Sequence, residues 1–387
     1  MQQRPGLLAV LRAWGRIGCI GFGGPPTHIV LLRELCVEQK RWLEPREFED
    51  AVAACNLLPG PASTQLAIYC AWRVRGRAGA FVGGLAFIVP GLLLILVLAA
   101  LLLAGSPPGW VKGAGAGAGA AVAAVAVQAG WNLIPASWVR AQRTSRVRWL
   151  LYLAAGATAA ATLGPWLVLV LLACGGIELV ARRSTRSSAG VCAVVPIPLL
   201  VGIGAAVGGG VLLSLGWVAF KVGALSYGGG FVIVPLMQAD AVGHYHWLTG
   251  GQFLNAVALG QITPGPVVQT VAAVGYAAAG IGGGLLAAAV AFAPSFAFIL
   301  LGGSRFDRLR SDQRVRAILD GAGPAAIGAI LGSAIPLGRA LAQPWQYAVL
   351  AGAAALLLLL RRGVVPTLLV AAAVGALVAL VDGPLPH

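Results

Sequence analysis

The chain predicts an all-α polytopic membrane protein: two inverted-topology repeats whose helices break or re-enter at Pro-Gly-Pro and glycine-rich motifs. Three observations lead there. Of the 387 residues, 59% are hydrophobic and 10% charged, and the mean hydropathy is +0.87, outside the range of soluble globular domains. The apolar stretches are long and continuous, where a β-barrel would show short alternating ones. Pro59-Gly60-Pro61 recurs as Pro264-Gly265-Pro266, each inside an apolar run. Proline lacks a backbone N–H and glycine admits unusual dihedrals, so no helix passes through this triplet unbroken. Broken backbone at membrane depth is tolerated where it is buried in protein or lines a watery cavity.

The formal net charge is +15. Arginine dominates the short loops between apolar runs and forms no arm or aromatic-interleaved patch. This is the positive-inside pattern of a membrane protein in a lipid bilayer, with no nucleic-acid partner expected. Cys19, Cys36, Cys55, Cys70, Cys174 and Cys192 are scattered without a CxxC pair. They read as small apolar residues, so neither a metal site nor a cofactor is expected.

In chain order, residues 7–31 form an apolar segment broken by Gly21-Phe22-Gly23-Gly24-Pro25-Pro26, and 51–72 carries the first Pro-Gly-Pro. Unbroken spans follow at 78–104 and 114–134, then shorter ones at 149–163 and 165–181. An extra run at 197–214 precedes a second series: 216–238, broken at Gly228-Gly229-Gly230, and 252–276 with the second Pro-Gly-Pro. Runs at 282–303, 321–341, 345–360 and 364–381 complete the chain. An offset of 205 aligns Gly23-Gly24 with Gly228-Gly229, Trp42-Leu43 with Trp247-Leu248 and the two Pro-Gly-Pro triplets without a gap. The expected division is a first repeat at 1–186, a linker plus an extra inverting transmembrane helix at 187–215, and a second, inverted repeat at 216–387.

Loop charge supplies the inversion. Arg73, Arg75 and Arg77 make one loop basic, while its counterpart near 277–283 is uncharged. The 105–113 loop has only Lys112 against five arginines in its counterpart at 305–316. With basic loops on the cytoplasmic side, the N-terminus lies inside and the C-terminus outside. Thirteen crossings result if the broken segments cross and nine if they re-enter, and the residues leave both open, as they leave the oligomeric state, a homodimer included.

A helix that starts at a break offers free N–H groups and a partial positive charge, which suit an anion. The candidate substrate-binding set is therefore Gly23, Gly24, Asn56, Pro59, Gly60, Pro61, Ser63, Thr64 and Gln65 in the first half. In the second half it is Gly228, Gly229, Gln261, Thr263, Pro264, Gly265, Pro266, Gln269 and Thr270. Thr27, Ser226 and Tyr227 are outer candidates. Arg16 and Lys221 occupy equivalent positions in apolar segments, where an anion partner or snorkelling to an interface would account for them. Only Glu178 sits well inside an apolar run; Asp240, Asp320 and Asp382 fall in loops or at span ends, so no carboxylate relay is expected. His28, His244 and His246 read as exposed-loop or cavity-edge residues.

The motifs GFGGPP at 21–26, Trp42-Leu43, NLLPGP at 56–61, SYGGGF at 226–231, Trp247-Leu248 and ITPGP at 262–266 resemble the chromate ion transporter family in its long two-domain form. The resemblance implies a bacterial inner-membrane protein that exports chromate, a tetrahedral oxyanion nearly isosteric with sulfate, and confers resistance to it. One departure is that Gly230-Phe231 stands where the first half has Pro25-Pro26. Moving a dianion out across 100 mV yields about 4.6 kcal/mol, enough for a gradient of about a thousandfold without ion coupling. A transporter of sulfate or another oxyanion is the first alternative. An intramembrane phosphatase-like enzyme is a remote one, since catalytic acids or histidines are not evident at the breaks.

Overall fold

The computed structural model describes residues 5–55, 60–103, 107–141, 145–162, 166–184, 210–226, 231–302 and 313–386. Fourteen helices, and no strand, occur among the described residues. The first, α1 (Leu7–Ile20), stops where Gly23 and Gly24 take φ of 98° and 75°, a region costly for any residue with a Cβ. The next, α2 (Pro25–Arg33), starts on prolines, whose missing N–H costs nothing at a first helical turn. It runs on through a wide π turn, Glu34–Gln39, and ends at Arg41 with φ 51°. There the N–H groups of Trp42 and Leu43 both donate to the Cys36 carbonyl. After α3 (Pro45–Cys55) comes α4 (Ala62–Leu103).

Helix α4 is two arms. The chain reverses at Arg75 and Gly76, the latter at φ 66°, and Gly79 and Gly84 of the second arm face Ala71 and Ile68 of the first. The second arm, 77–103, rises about 40 Å, more than the roughly 30 Å hydrocarbon core of a bilayer.

The second half repeats these local features. Helix α8 (Val211–Leu225) precedes α9 (Ile233–Gln238), which runs on through a π turn, Ala239–His244, and the chain then reaches His246 at φ 53°. Trp247 and Leu248 donate to the Ala241 carbonyl. Next come α10 (Gly250–Ile262) and α11 (Thr270–Gly302), which reverses at Ala279 and Gly280. Of the extra run expected at 197–214, residues 197–209 lie outside the described residues, and 211–214 belong to α8. The division expected at 215 falls within that helix, Val211–Leu225.

Six helices complete the first half and the end of the second in parallel fashion. The long α5 (Gly109–Ala141) packs on α13 (Pro344–Ala354) and α14 (Val364–Leu380). The long α12 (Gln313–Arg339) packs on α6 (Arg146–Thr162) and α7 (Leu167–Ser184). Each half therefore lends its long helix to the other. Small residues permit the close approach: Gly113 and Gly117 meet Gly375 and Ala371, while Gly328 and Gly332 meet Leu153 and Ala157. Among the described residues, four helical segments, Ala62–Leu103, Gly109–Val139, Val267–Gly302 and Gln313–Arg339, are long and apolar enough to cross a membrane. Leu85, Leu93, Val97 and Leu101 of α4 and Leu369, Leu377 and Leu380 of α14 are exposed, an apolar exterior that lipid would cover.

Candidate functional site

Each Pro-Gly-Pro marks the tip of a hairpin. A helix running on from Glu47 to Arg73 would hold the two residues about 39 Å apart, yet their side chains form an ion pair. The chain therefore turns back between α3 and the first arm of α4. In the second half Gly260 of α10 faces Thr270 of α11 across the corresponding tip. Gly60 and Gly265 take φ of 114° and 95° there, which is why glycine stands between the prolines.

The second tip is docked into the first half. Gly265 N–H donates to the Gly21 carbonyl at 2.9 Å, joining the Pro-Gly-Pro of one half to the glycine break of the other. Gln269 Nε2 donates to the Ile88 carbonyl of α4 at 2.8 Å. Gly91, one residue past Pro90, faces the Pro264 carbonyl and the Gln269 amide so closely that no Cβ would fit. On the other side Gly60 lies beside the Gly223 carbonyl, and Gly223 packs on Ala291 of α11. The second arms of α4 and α11 run antiparallel, with Gly84 against Phe296 and Gly284 against Leu96. Both tips thus converge on one level of this crossing pair.

That level is polar and buried. Ser63, Thr64, Gln65, Thr263, Gln269 and Thr270 are each at most 3% exposed, and Gln261 is 7% exposed. Thr263 and Thr270 hydroxyls are spent on the Leu259 and Val267 carbonyls, at 2.8 Å each. Thr64 Oγ1, Ser226 Oγ, Ser295 Oγ, Gln261 Nε2 and Gln269 Oε1 have no hydrogen-bond partner among the described residues. A buried polar atom left unpaired costs about 1–3 kcal/mol, so these groups point to a ligand or ordered water. Three hydroxyls and one amide can donate to an oxyanion.

The breaks are unequal donors. At α4 the N–H groups of Ala62, Ser63 and Thr64 precede the first capped turn, where Gln65 N–H reaches the Pro61 carbonyl at 3.0 Å. At α11 the short 3-10 turn Val267–Gln269 offers Val267 and Val268. Prolines at the first two positions of α2 leave it Thr27 alone before His28 N–H bonds the Gly24 carbonyl. Asn56, Pro59, Tyr227, Gly228 and Gly229 lie outside the described residues.

The two cations expected near the breaks differ. Lys221 Nζ bonds Asp240 at 2.7 Å and lies 5.8 Å from the Trp217 ring. Arg16 is exposed, on a cavity between α1 and the turn after α2. Two acids are not where the sequence puts them. Asp240 is 5% exposed within the π turn after α9, and Asp320 lies inside α12. Helical periodicity is broken at the π turn, which hid the inward face of Asp240. Glu178 is buried at 1% exposure. It accepts from Tyr152 at 3.2 Å, pairs with Arg148 at 3.1 Å and with Arg182 at 2.9 Å, while Arg182 also reaches Asp320 at 2.7 Å.

His28 is the residue sequence reasoning missed. Instead of lining a loop it is fully buried in α2, edge-on to Phe87, with Nε2 2.9 Å from the Gly21 carbonyl. That contact makes Nε2 the protonated nitrogen, and Nδ1 has no partner among the described residues. Its position four residues after Gly24 was the available signal, because the first turn after a break faces the tip.

The same sequence elements match a known family. The family model described as chromate transporter covers residues 8–179 and 213–379, each stretch containing one glycine break and one Pro-Gly-Pro hairpin. The chain belongs to the chromate transporter family. This transporter is 32% identical to a chromate transport protein of Cupriavidus metallidurans over 96% of its own length and 92% of the relative's. It is 29% identical to a chromate transport protein of Pseudomonas aeruginosa over 85% and 80% of the two chains. An uncharacterized transporter of Methanocaldococcus jannaschii is 27% identical over 82% and 81%. No solved structure matches the chain. With its apolar helices, family membership makes it a multi-pass membrane protein of chromate transport.

Proposed function

We propose that the transporter exports chromate across the bacterial inner membrane and so confers resistance, with the dianion held between the two Pro-Gly-Pro tips. The observation that carries this reading is the set of buried donors beside the tips that have no partner among the described residues: Thr64, Ser226, Ser295 and Gln261. Neutral donors in a low-dielectric site bind a dianion strongly without trapping it in an ion pair. Sulfate offers the same tetrahedron of oxygens, so it is the competitor that this chemistry admits.

In a bilayer the hairpins α1–α2, α3–α4, α8–α9 and α10–α11 are re-entrant. The basic turn at Arg73–Arg77 then faces the cytoplasm, the C-terminus faces outside, and the halves are inverted about the antiparallel crossing of α4 and α11. Rocking of one half against the other exposes the tips to alternate sides. The driving force is the membrane potential, worth about 4.6 kcal/mol per dianion at 100 mV.

The test is uptake of labelled chromate by purified protein in liposomes, under an imposed potential or an imposed pH gradient, with and without sulfate. Transport that follows the potential, and falls about tenfold in Gln261→Ala and in Thr64→Ala, is expected. Uptake that needs the pH gradient and ignores potential would remove the uniport mechanism. Normal chromate affinity in both variants would remove the site.

A further inference from the structure

A cavity of about 450 Å³ lies between α1 and the returning α2, with Arg12 and Arg16 on one wall and Glu34, Gln39, Lys40 and Trp42 on the other. Three cations share it with one carboxylate, and Glu34 already accepts from Gln39 Nε2 at 2.7 Å. Arg12, Arg16 and Lys40 make no ion pair among the described residues. Apolar residues, Ile17, Ile20, Leu31 and Leu35 among them, make up the rest of the lining. Apolar walls lower the local dielectric and strengthen the field of the three charges.

The second half fills the equivalent place differently. At an offset of 205, Lys221 stands for Arg16, Asp240 for Leu35, Trp217 for Arg12 and Tyr245 for Lys40. Lys221 is satisfied there by Asp240 and lies near Trp217, whose ring replaces a second cation. The second half thus neutralises its cation internally. The first half keeps three cations and has Leu35 where the second has Asp240, leaving Glu34 as the cavity's one carboxylate, with room beside them for an anion and its water shell.

We propose that this cavity is a docking site for a phosphate-class oxyanion: the soluble tetrahedral dianion before it reaches the tips, or the phosphate of an anionic lipid headgroup. Leu8, Leu11 and Ile20 are exposed on the same helix, so a headgroup could enter sideways as readily as an ion from solution. The docking site stands apart from the reading of the tips, which fixes only what the soluble ligand would be.

The experiment uses the full chain in phosphatidylcholine vesicles, as wild type and as the triple variant Arg12→Gln, Arg16→Gln, Lys40→Gln. Chromate transport is measured against concentration, and thermal stability against the fraction of phosphatidylglycerol. For the soluble ion, the variant has a KM raised about fivefold to tenfold at unchanged kcat, as expected for losing about 1–1.4 kcal/mol of partly solvated charge pairing. High salt should shrink that difference. For a headgroup, wild type gains stability with phosphatidylglycerol and the variant does not, at equal KM. A variant that matches wild type in both KM and lipid response overturns the proposal. If Gln261→Ala and Thr64→Ala transport normally while the triple variant raises KM, the tip site falls and the docking site stands.

Discussion

The Gly265 N–H donates to the Gly21 carbonyl, so the hairpin tip of the second half hangs on the glycine break of the first. His28 Nε2 lies on the same carbonyl. One oxygen therefore joins the imidazole, the first break and the second tip, and a disturbance at any of them reaches the other two.

Gly91 is where the second tip presses against α4. A Cβ there would overlap the Pro264 carbonyl and the Gln269 side chain, and overpacking of this kind costs about 1–3 kcal/mol. Gly91→Ala is expected to insert at normal levels while chromate uptake in liposomes drops at least tenfold. Wild-type uptake would mean that the docked tip is not required.

His28 separates support from binding. Gln can keep a donor on the Gly21 carbonyl but offers no counterpart to Nδ1. His28→Gln should therefore melt within a few degrees of wild type and lose about tenfold in chromate transport, about 1.4 kcal/mol. His28→Ala should lose both. If His28→Gln transports normally, the histidine serves packing alone.

Glu178 holds Arg148 and Arg182 together and, through Arg182, ties α7 to Asp320 of α12. Removing one partner of a buried pair costs about 3–5 kcal/mol. Both arginines remain one-third exposed, so Glu178→Gln should lose about 2–3 kcal/mol, with Asp320→Asn losing less. Detergent melting of the purified variants checks the order; equal melting of all three proteins would contradict it.

The ion pair of Glu47 and Arg73 makes the first Pro-Gly-Pro a turning point. With the six native cysteines replaced, Glu47→Cys and Arg73→Cys should be joined within one chain by a short bifunctional maleimide in native membranes. Cross-linking only between chains would favour a path that crosses the bilayer.

Much of this was legible in residues. Glycine at 23, 24, 60 and 265 announces positive φ because a Cβ is costly there, and proline announces a missing donor, so the breaks and their register of 205 needed no coordinates. Family motifs lie on the same breaks. The candidate set held Thr64, Gln261 and Gln269, since amides and hydroxyls beside a break are local facts. It omitted His28 and Ser295, because burial depends on which helix arrives from elsewhere, here the second arms of α4 and α11.

What the sequence determined by itself is therefore where helices stop, that the chain is apolar enough for a membrane, and which polar residues accompany each break. These follow from single-residue sterics and from hydropathy, which act over a few neighbours. Tertiary structure decided that the chain turns back at the first Pro-Gly-Pro, that Lys221 meets Asp240 while Arg16 meets a cavity, and that one tip docks on Gly21. Each is a contact between distant segments, and a break permits turning back or passing through at equal local cost. Only the partner waiting at the far end, Glu47 for Arg73, selects one of them.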